Sequence, residues 1–536
     1  MPGIPGILRS SQISLSPFNH PEAALRSAKE SSMNRPLRIP FAALLCAFAL
    51  AVHAHICCAQ QPAGAMQPLL VPAALVSDIH FEPFWDPDKA LKLASLTPDK
   101  WHAALDGAPS ANRAQRYSVL QQRCYVRGSD TSFPLFQSSL SALRAHAAGV
   151  RFITVSGDLL SHQFDCRYGV LFGSMKGYRD YVENTIKFVL LELNSIAPGV
   201  PVFAALGNND SDCGDYLLDA NSTFLADIGT EITKAAPAPE RSDALTTFSE
   251  GGYYSASLPG PMQNAHLLVL EDLFYSHDYL GKCPGSSSDP AAAAALQLKW
   301  LAKQVNDARN ATPKQNLWVM GHIPTGFDAR NTLYKTSGNC VNPSPFLSSD
   351  SLFDALDDSG DVVKLAIFAH THMDEIRLIQ AETGSQTGSG GTGAARPAAK
   401  AAANAVPMKM VPSISPVNGN YPSFTIAQID PDTATVVNYQ VIAAKDKSGA
   451  GTWTGGYDYH KDYGEVSFSA DAVAHLLSNF AADPKFKNDA SRNYIHNFSA
   501  GGGGAWLENE NDWSGYVCIE SHNTAAGFNA CDCPGH

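Results

Sequence analysis

The sequence predicts a layered α/β domain, and three observations predict it. Apolar, strand-like runs alternate with helical segments from Leu69 onwards. Five of those runs end in polar motifs: Ser77-Asp78-Ile79-His80, Ser156-Gly157-Asp158, Gly207-Asn208-Asn209-Asp210, Gly321-His322 and Ala369-His370-Thr371-His372. The candidate ligands in them (Asp78, His80, Asp158, Asn208, His322, His370 and His372) are all oxygen or imidazole donors, with no thiolate among them. A buried histidine alone is usually a satisfied core residue. Seven candidate ligands in register, each just after a predicted strand, point instead to a metal site at the strand ends.

Each element has its own signal. Leu69 to Val76 reads as a strand delivering Asp78 and His80. Phe133 to Ala148 is an amphipathic helix stopped by Gly149, where a left-handed cap costs little. Arg151 to Val155 is a buried strand before Asp158, and Tyr178 to Ile196 a helix stopped by Pro198-Gly199. Val200 to Leu206 delivers Asn208. Asp289-Pro290 opens an alanine-rich helix, with Asp as the cap and Pro in the first turn. Leu317 to Met320 delivers His322, and Val362 to Phe368 delivers His370 and His372. Residues 382–406 (Glu382 to Val406) are of low complexity and read as a mobile loop between two strands. Ser423 to Val441 alternates like a β-hairpin around Asp430-Pro431-Asp432, and Gly449 to Gly456 forms a joint. Beyond it, residues 450–536 read as a C-terminal accessory segment, with Ser469 capping a helix from Ala470 to Phe480 and Cys518, Cys531 and Cys533 stapling the tail. The catalytic domain is placed at 69–445.

Composition and the first residues bound the setting. The chain has 536 residues, 45% hydrophobic and 17% charged, enough for a large core and an accessory piece. Its net charge of -13 argues against duplex nucleic acid, which needs clustered Lys and Arg. Arg35 and Arg38 precede an apolar run from Phe41 to Val52, too short to span a bilayer but suited to a secretory signal. Residues 1–59 are therefore read as an extension and signal cleaved after Ala59, with Val52-His53-Ala54 as a second cleavage option. No stable membrane insertion is expected after cleavage. Eight of the 11 cysteines remain, an even set that reads as disulfides in a secreted or periplasmic protein.

The ligand set suits two divalent ions about 3.5 to 4 Å apart sharing one carboxylate, a layout that activates water for attack on phosphorus. Asp78, His80 and His372 are assigned to one ion, and Asn208, His322 and His370 to the other, with Asp158 bridging. Asp-x-His and His-x-His work because residues two apart on an extended segment face one side.

These motifs resemble the calcineurin-like metallophosphoesterases. More narrowly, Gly157-Asp158-Leu159-Leu160-Ser161-His162, Gly321-His322-Ile323-Pro324-Thr325-Gly326, His370-Thr371-His372-Met373-Asp374-Glu375 and Pro412-Ser413-Ile414-Ser415-Pro416 resemble the acid sphingomyelinase-like phosphodiesterases. The resemblance covers roughly Leu69 to Lys445. It implies a four-layer α/β/β/α sandwich, zinc as the metal and phosphodiester hydrolysis outside the cytoplasm. Ala369 replaces the usual Gly, and Asn209 stands where the family has a His that protonates the leaving group or binds phosphate. A Gly-Asn-Asn-Asp variant occurs among endopolyphosphatase-like relatives, which keeps polyphosphate open as a substrate. His162 matches the Gly-Asp-x-x-x-His of the sphingomyelinase-like group; it is read as the missing proton donor or a phosphate ligand, with a purely structural role as the alternative. Cys283 and Cys340 have the placement of a family bridge.

The resemblance implies an exported dimetal phosphodiesterase. Only a few residues separate the signal from Asp78, leaving no room for a saposin-like lipid-handling module, so soluble diesters or phosphoanhydrides are expected over bilayer sphingomyelin. The alternatives are an endopolyphosphatase or phosphomonoesterase on the same site, or a non-catalytic metal-binding protein.

Overall fold

Twelve short strands form two six-stranded sheets in a computed structural model that describes residues 69–335, 343–382, 401–502, 507 and 510–532. The signal and extension expected at 1–59, and residues 383–400 of the expected low-complexity loop, lie outside the described residues. The strands are β1 (Val71–Val76), β2 (Ile153–Ser156), β3 (Val202–Ala205), β4 (Tyr254–Ser257), β5 (Ala265–Val269) and β6 (Asn316–Met320). They continue as β7 (Val363–Phe368), β8 (Glu375–Ile379), β9 (Val406–Met410), β10 (Ser423–Ile429), β11 (Val436–Ala443) and β12 (Gly455–Asp458).

The first sheet runs β12-β11-β10-β1-β2-β3 and the second β4-β5-β6-β7-β9-β8. The parallel strands are β1, β2 and β3, which form one half of the first sheet, and β5, β6, β7 and β9, which form the centre of the second. Parallel strands need both faces covered, and their residues are accordingly buried almost throughout. The two sheets meet face to face. Phe152 packs edge-on against Trp318 with ring centroids 5.6 Å apart, and Trp318 Nε1 donates to the Ala434 carbonyl at 2.8 Å. Tyr254 Oη reaches from β4 to the backbone of Ala204 in β3.

Helices cover the outer faces. Phe133–His146 and Tyr178–Asn194 contact the first sheet, and Pro290–Asn310, Ala470–Ala482 and Glu510–Ser521 the second. The fold is thus an α/β/β/α sandwich. Capping follows the sequence: Asp289 accepts from Ala292 N at 3.1 Å with Pro290 in the first turn, and Ser469 accepts from Ala472 N. The helix expected to reach Ala148 ends at His146, and Gly149 takes a left-handed φ of 78° in the turn that follows. The hairpin expected around Asp430-Pro431-Asp432 forms between β10 and β11 and runs on to Ala443. The C-terminal residues are built into both layers, since β12 extends the first sheet and two late helices cover the second.

Three disulfides occur among the described residues: Cys124–Cys166, Cys213–Cys283 and Cys518–Cys531. Cys283 therefore does not pair with Cys340. Its partner is Cys213, because the loop leaving β3 lies against the segment around Gly281, with Leu217 bridging to Gly281. Cys340 itself lies outside the described residues.

Candidate metal centre

All the candidate ligands sit at the carboxyl ends of parallel strands, where the loops of the two sheets converge. The first sheet delivers Asp78 and His80 after β1, Asp158 after β2 and Asn208 after β3. The second delivers His322 after β6, and His370 and His372 after β7. Five of the seven, Asp78, His80, Asp158, His370 and His372, have left-handed backbone with φ between 42° and 73°. That conformation is unfavourable for residues with a Cβ and persists only where surroundings enforce it. Here they do: His80 N donates to Asp158 O at 2.8 Å, Asp78 N to Gly157 O at 3.2 Å, and Ser415 N to Asp78 O at 3.1 Å.

The seven side chains converge on one spot. His80 Nε2 lies 3.1 Å from His372 Nε2 and 3.3 Å from Asp158 Oδ2, while Asp78 Oδ1 faces His372 Nε2 at 3.5 Å. On the other side His322 Nε2 lies 3.2 Å from the same Asp158 Oδ2 and 3.1 Å from Asn208 Oδ1, and His370 Nδ1 lies 3.0 Å from Asn208 Oδ1. One oxygen of Asp158 thus touches both groups.

The remaining atoms fix which lone pairs point inward. His80 Nδ1 meets the Leu160 carbonyl and His322 Nδ1 the Ser156 carbonyl, both at 2.8 Å, so each ring carries its proton outward and its Nε2 lone pair inward. Asn208 Nδ2 donates to Asp215 Oδ1 at 2.8 Å, which turns Oδ1 inward. Asp78 Oδ1 is buried and, among the described residues, has no hydrogen-bond donor. A cluster of inward-facing lone pairs with an orphaned carboxylate oxygen fits a cation. Groups within 4.8 Å of one another that could hold a metal include Asp78-His80-Asp158 and His80-His162-His372.

Without a cation the electrostatics show the same demand. Burial pushes the Asp78 carboxyl up to about 7 and His80 down to about 4. Burial also lowers His372, and lowers His370 to about 3, so these two imidazoles are neutral donors; burial would lower His322 as well, but the Asp158, Asp78 and Asp272 carboxylates push it well up. Burial would raise Asp158 too, but the His322 and His80 imidazoles hold it well below the ordinary carboxylate value.

Glycines allow this packing. A Cβ on Gly157, whose φ is 87°, would stand 2.7 Å from His322 Nδ1, and one on Gly207 would overlap the Asp158 carboxylate. Asn209 spends its groups on the bridging residue: its backbone N donates to Asp158 Oδ1 at 2.9 Å and its Nδ2 to Oδ2 at 3.0 Å. Asp210 ties the loops after β2 and β3 together by accepting from Leu159, Leu160 and Gly207. His162 stacks on His80 with centroids 4.1 Å apart, a third exposed, and its Nδ1 meets Asp130 Oδ1 at 3.0 Å.

Sequence reasoning passed over Asp130 and Tyr216. Asp130 is buried and also meets Ser415 Oγ and Arg167, which in turn pairs with Glu82. Tyr216 Oη lies 3.3 Å from His370 Nε2. Neither stands in a recognisable motif; each is brought in by a loop contact between distant segments.

Comparison with known proteins finds phosphodiesterases. Human acid sphingomyelinase-like phosphodiesterase 3b is 23% identical over 389 residues, covering 69% of this chain and 74% of that protein. The chain is thus similar to an acid sphingomyelinase-like phosphodiesterase. Human cyclic GMP-AMP phosphodiesterase SMPDL3A is 21% identical over 439 residues, covering 78% of this chain and 82% of the relative. Sphingomyelinase phosphodiesterase C of Dictyostelium discoideum is 24% identical over 249 residues, covering 46% of this chain and about half of that one, 49%. No family model matches the chain. Among solved structures, calcineurin-like phosphoesterase YfkN from Bacillus subtilis aligns with a TM-score of 0.27 at 9% identity, over 77% of this chain and 97% of that one. A superposition that loose adds no weight.

The Asp130–His162 pair makes a pH prediction. Burial alone would lower His162, but the Asp130 carboxylate beside it pushes it up to about 9. A raised folded pKa means the pair stabilises the protein fully below the ordinary histidine value of 6.5 and ceases to do so as pH rises through about 9. In metal-free protein the His162 ring should titrate near 9 by NMR, and Asp130→Asn should bring it down. An unmoved titration would show that Asp130 does not hold the charge.

Proposed function

We propose that this chain is a metal-dependent phosphoric diester hydrolase acting on soluble diesters outside the cytoplasm. The observation that carries the reading is Asp158 Oδ2, one oxygen placed 3.3 Å from His80 Nε2 and 3.2 Å from His322 Nε2 between two converging ligand groups. Asp78, His80 and His372 with Asp158 would hold one divalent ion; Asn208, His322 and His370 with Asp158 would hold the other. An imidazole and oxygen set of this kind suits zinc. Two such ions, when bound, lower the pKa of a water and neutralise charge on phosphoryl oxygens.

The chain's own residues would do the rest. Asn209 holds the shared carboxylate in place, so its amide is not the leaving-group donor. His162, held by Asp130 and stacked beside His80, is placed to give a proton to an alkoxide leaving group. The named relatives support diester cleavage, and the cyclic GMP-AMP phosphodiesterase supports a soluble nucleotide-like diester. The three disulfides support an oxidising compartment. No helix among the described residues is long and apolar enough to cross a membrane.

The test is turnover of bis-nitrophenyl phosphate. Chelator-stripped protein should be inactive and zinc should restore it, while Asp158→Ala should lose activity by about a thousandfold or more, the scale of removing a charge-stabilising element. Full activity of the stripped protein or of Asp158→Ala would sink the proposal.

His162 is tested by varying the leaving group. His162→Ala should slow an alkyl or nucleoside diester by about a hundredfold or more, and a nitrophenyl diester far less, because nitrophenolate departs without a proton. Equal losses on both would make His162 a phosphate-binding residue instead.

A further inference from the structure

Tyr216 lies on the loop leaving β3, eight residues beyond Asn208, and its backbone is pinned on all sides. Its N–H donates to the Asn208 carbonyl at 3.0 Å, and its own carbonyl accepts from Leu280 N at 3.0 Å. Leu217 bridges to Gly281, and the Cys213–Cys283 disulfide joins the same two segments. Tyr216 also has a left-handed φ of 55°, a strained conformation for an aromatic residue. The loop therefore holds this ring in one place, edge-on to His370 with an interplanar angle of 87°.

Proton accounting then assigns the hydroxyl. His370 turns Nδ1 toward Asn208 Oδ1 and His322 Nε2, at 3.0 and 3.3 Å, and Nε2 toward Tyr216 Oη at 3.3 Å. A neutral imidazole carries one N–H. With the Nδ1 lone pair directed at the ion site, that hydrogen sits on Nε2 and is donated to Oη. A phenol oxygen that accepts still has its own O–H to give. Among the described residues Oη has no hydrogen-bond partner other than His370. The Tyr216 residue is half-buried, and its Oη stands beside His370 at the ion site. His162 stands beside His80, in the other ligand group.

We infer that Tyr216 Oη donates a hydrogen bond to a non-bridging oxygen of the bound phosphodiester, making it a substrate-contacting residue complementary to His162. This rests on the dimetal reading proposed above. A contact to a phosphoryl oxygen serves every diester alike, whereas leaving-group protonation discriminates among them.

Tyr216→Phe removes the hydroxyl and keeps the ring. In zinc-loaded protein, calorimetry should show the Kd for inorganic phosphate rising about tenfold or more, the scale of a hydrogen bond to a charged group. Zinc content should stay at the wild-type value, and kcat/KM should fall by a similar factor on nitrophenyl and alkyl diesters. Unchanged phosphate affinity would overturn the inference. Loss of zinc alongside phosphate binding would overturn it too, because the phenol would then merely support His370. A wild-type protein that binds neither two zinc ions nor phosphate would instead refute the dimetal reading, and this inference with it.

Discussion

The carboxylate of Asp158 is the point on which the two halves of the sandwich agree. It leaves β2 in the first sheet, yet one of its oxygens faces His322 from the second sheet as closely as it faces His80 from its own. Asn209 and its backbone N–H fix the rotation of that carboxylate, and Asp210 fixes the loop carrying Asn209. A buried carboxylate so close to imidazoles is stable only if positive charge accompanies it. The rest of the site is consistent with placing that charge: neutral imidazoles at His80, His370 and His372, Nδ1 of His80 and His322 bonded outward to carbonyls, and, among the described residues, an Asp78 oxygen without a donor.

Holding it requires strain that the fold distributes. Five of the candidate ligands adopt left-handed backbone, a cost on the order of 1 kcal/mol or more each. The hydrogen bonds between the loops after β1 and β2 offset it, as do supports from the C-terminal residues. Ile376 N donates to Tyr494 Oη, Thr325 Oγ1 to Asn523 Oδ1, and Arg377 pairs with Glu375 and Glu520. These contacts steady the segments that follow His322 and His372. The Cys518–Cys531 disulfide closes the tail from which Glu520 and Asn523 come.

What could be read in the sequence was whatever depends on short range. The seven candidate ligands were legible because each follows an apolar run closely, and Asp289-Pro290 marked a helix start because capping is local. β8 was not legible: Glu375 and Arg377 interrupt its apolar pattern, and only the structure shows both charges buried against each other and Glu520. β4 and β5 were missed because no polar ligand motif follows either of them; length was no bar, since β2 and β3 are also four residues long. The pairing of Cys283 failed because cysteine spacing does not encode partnership; the approach of the β3 loop to Gly281 does. Asp130 and Tyr216 share that reason, since their partners lie 32 and 154 residues away.

The central claim is that Asp158 sits between two metal ions. Anomalous diffraction at the zinc edge from crystals of zinc-loaded protein addresses it most directly. Two peaks about 3.5 to 4 Å apart, one beside His80 and His372 and the other beside His322 and His370, are the predicted result. A single peak, or peaks away from Asp158 Oδ2, would contradict it.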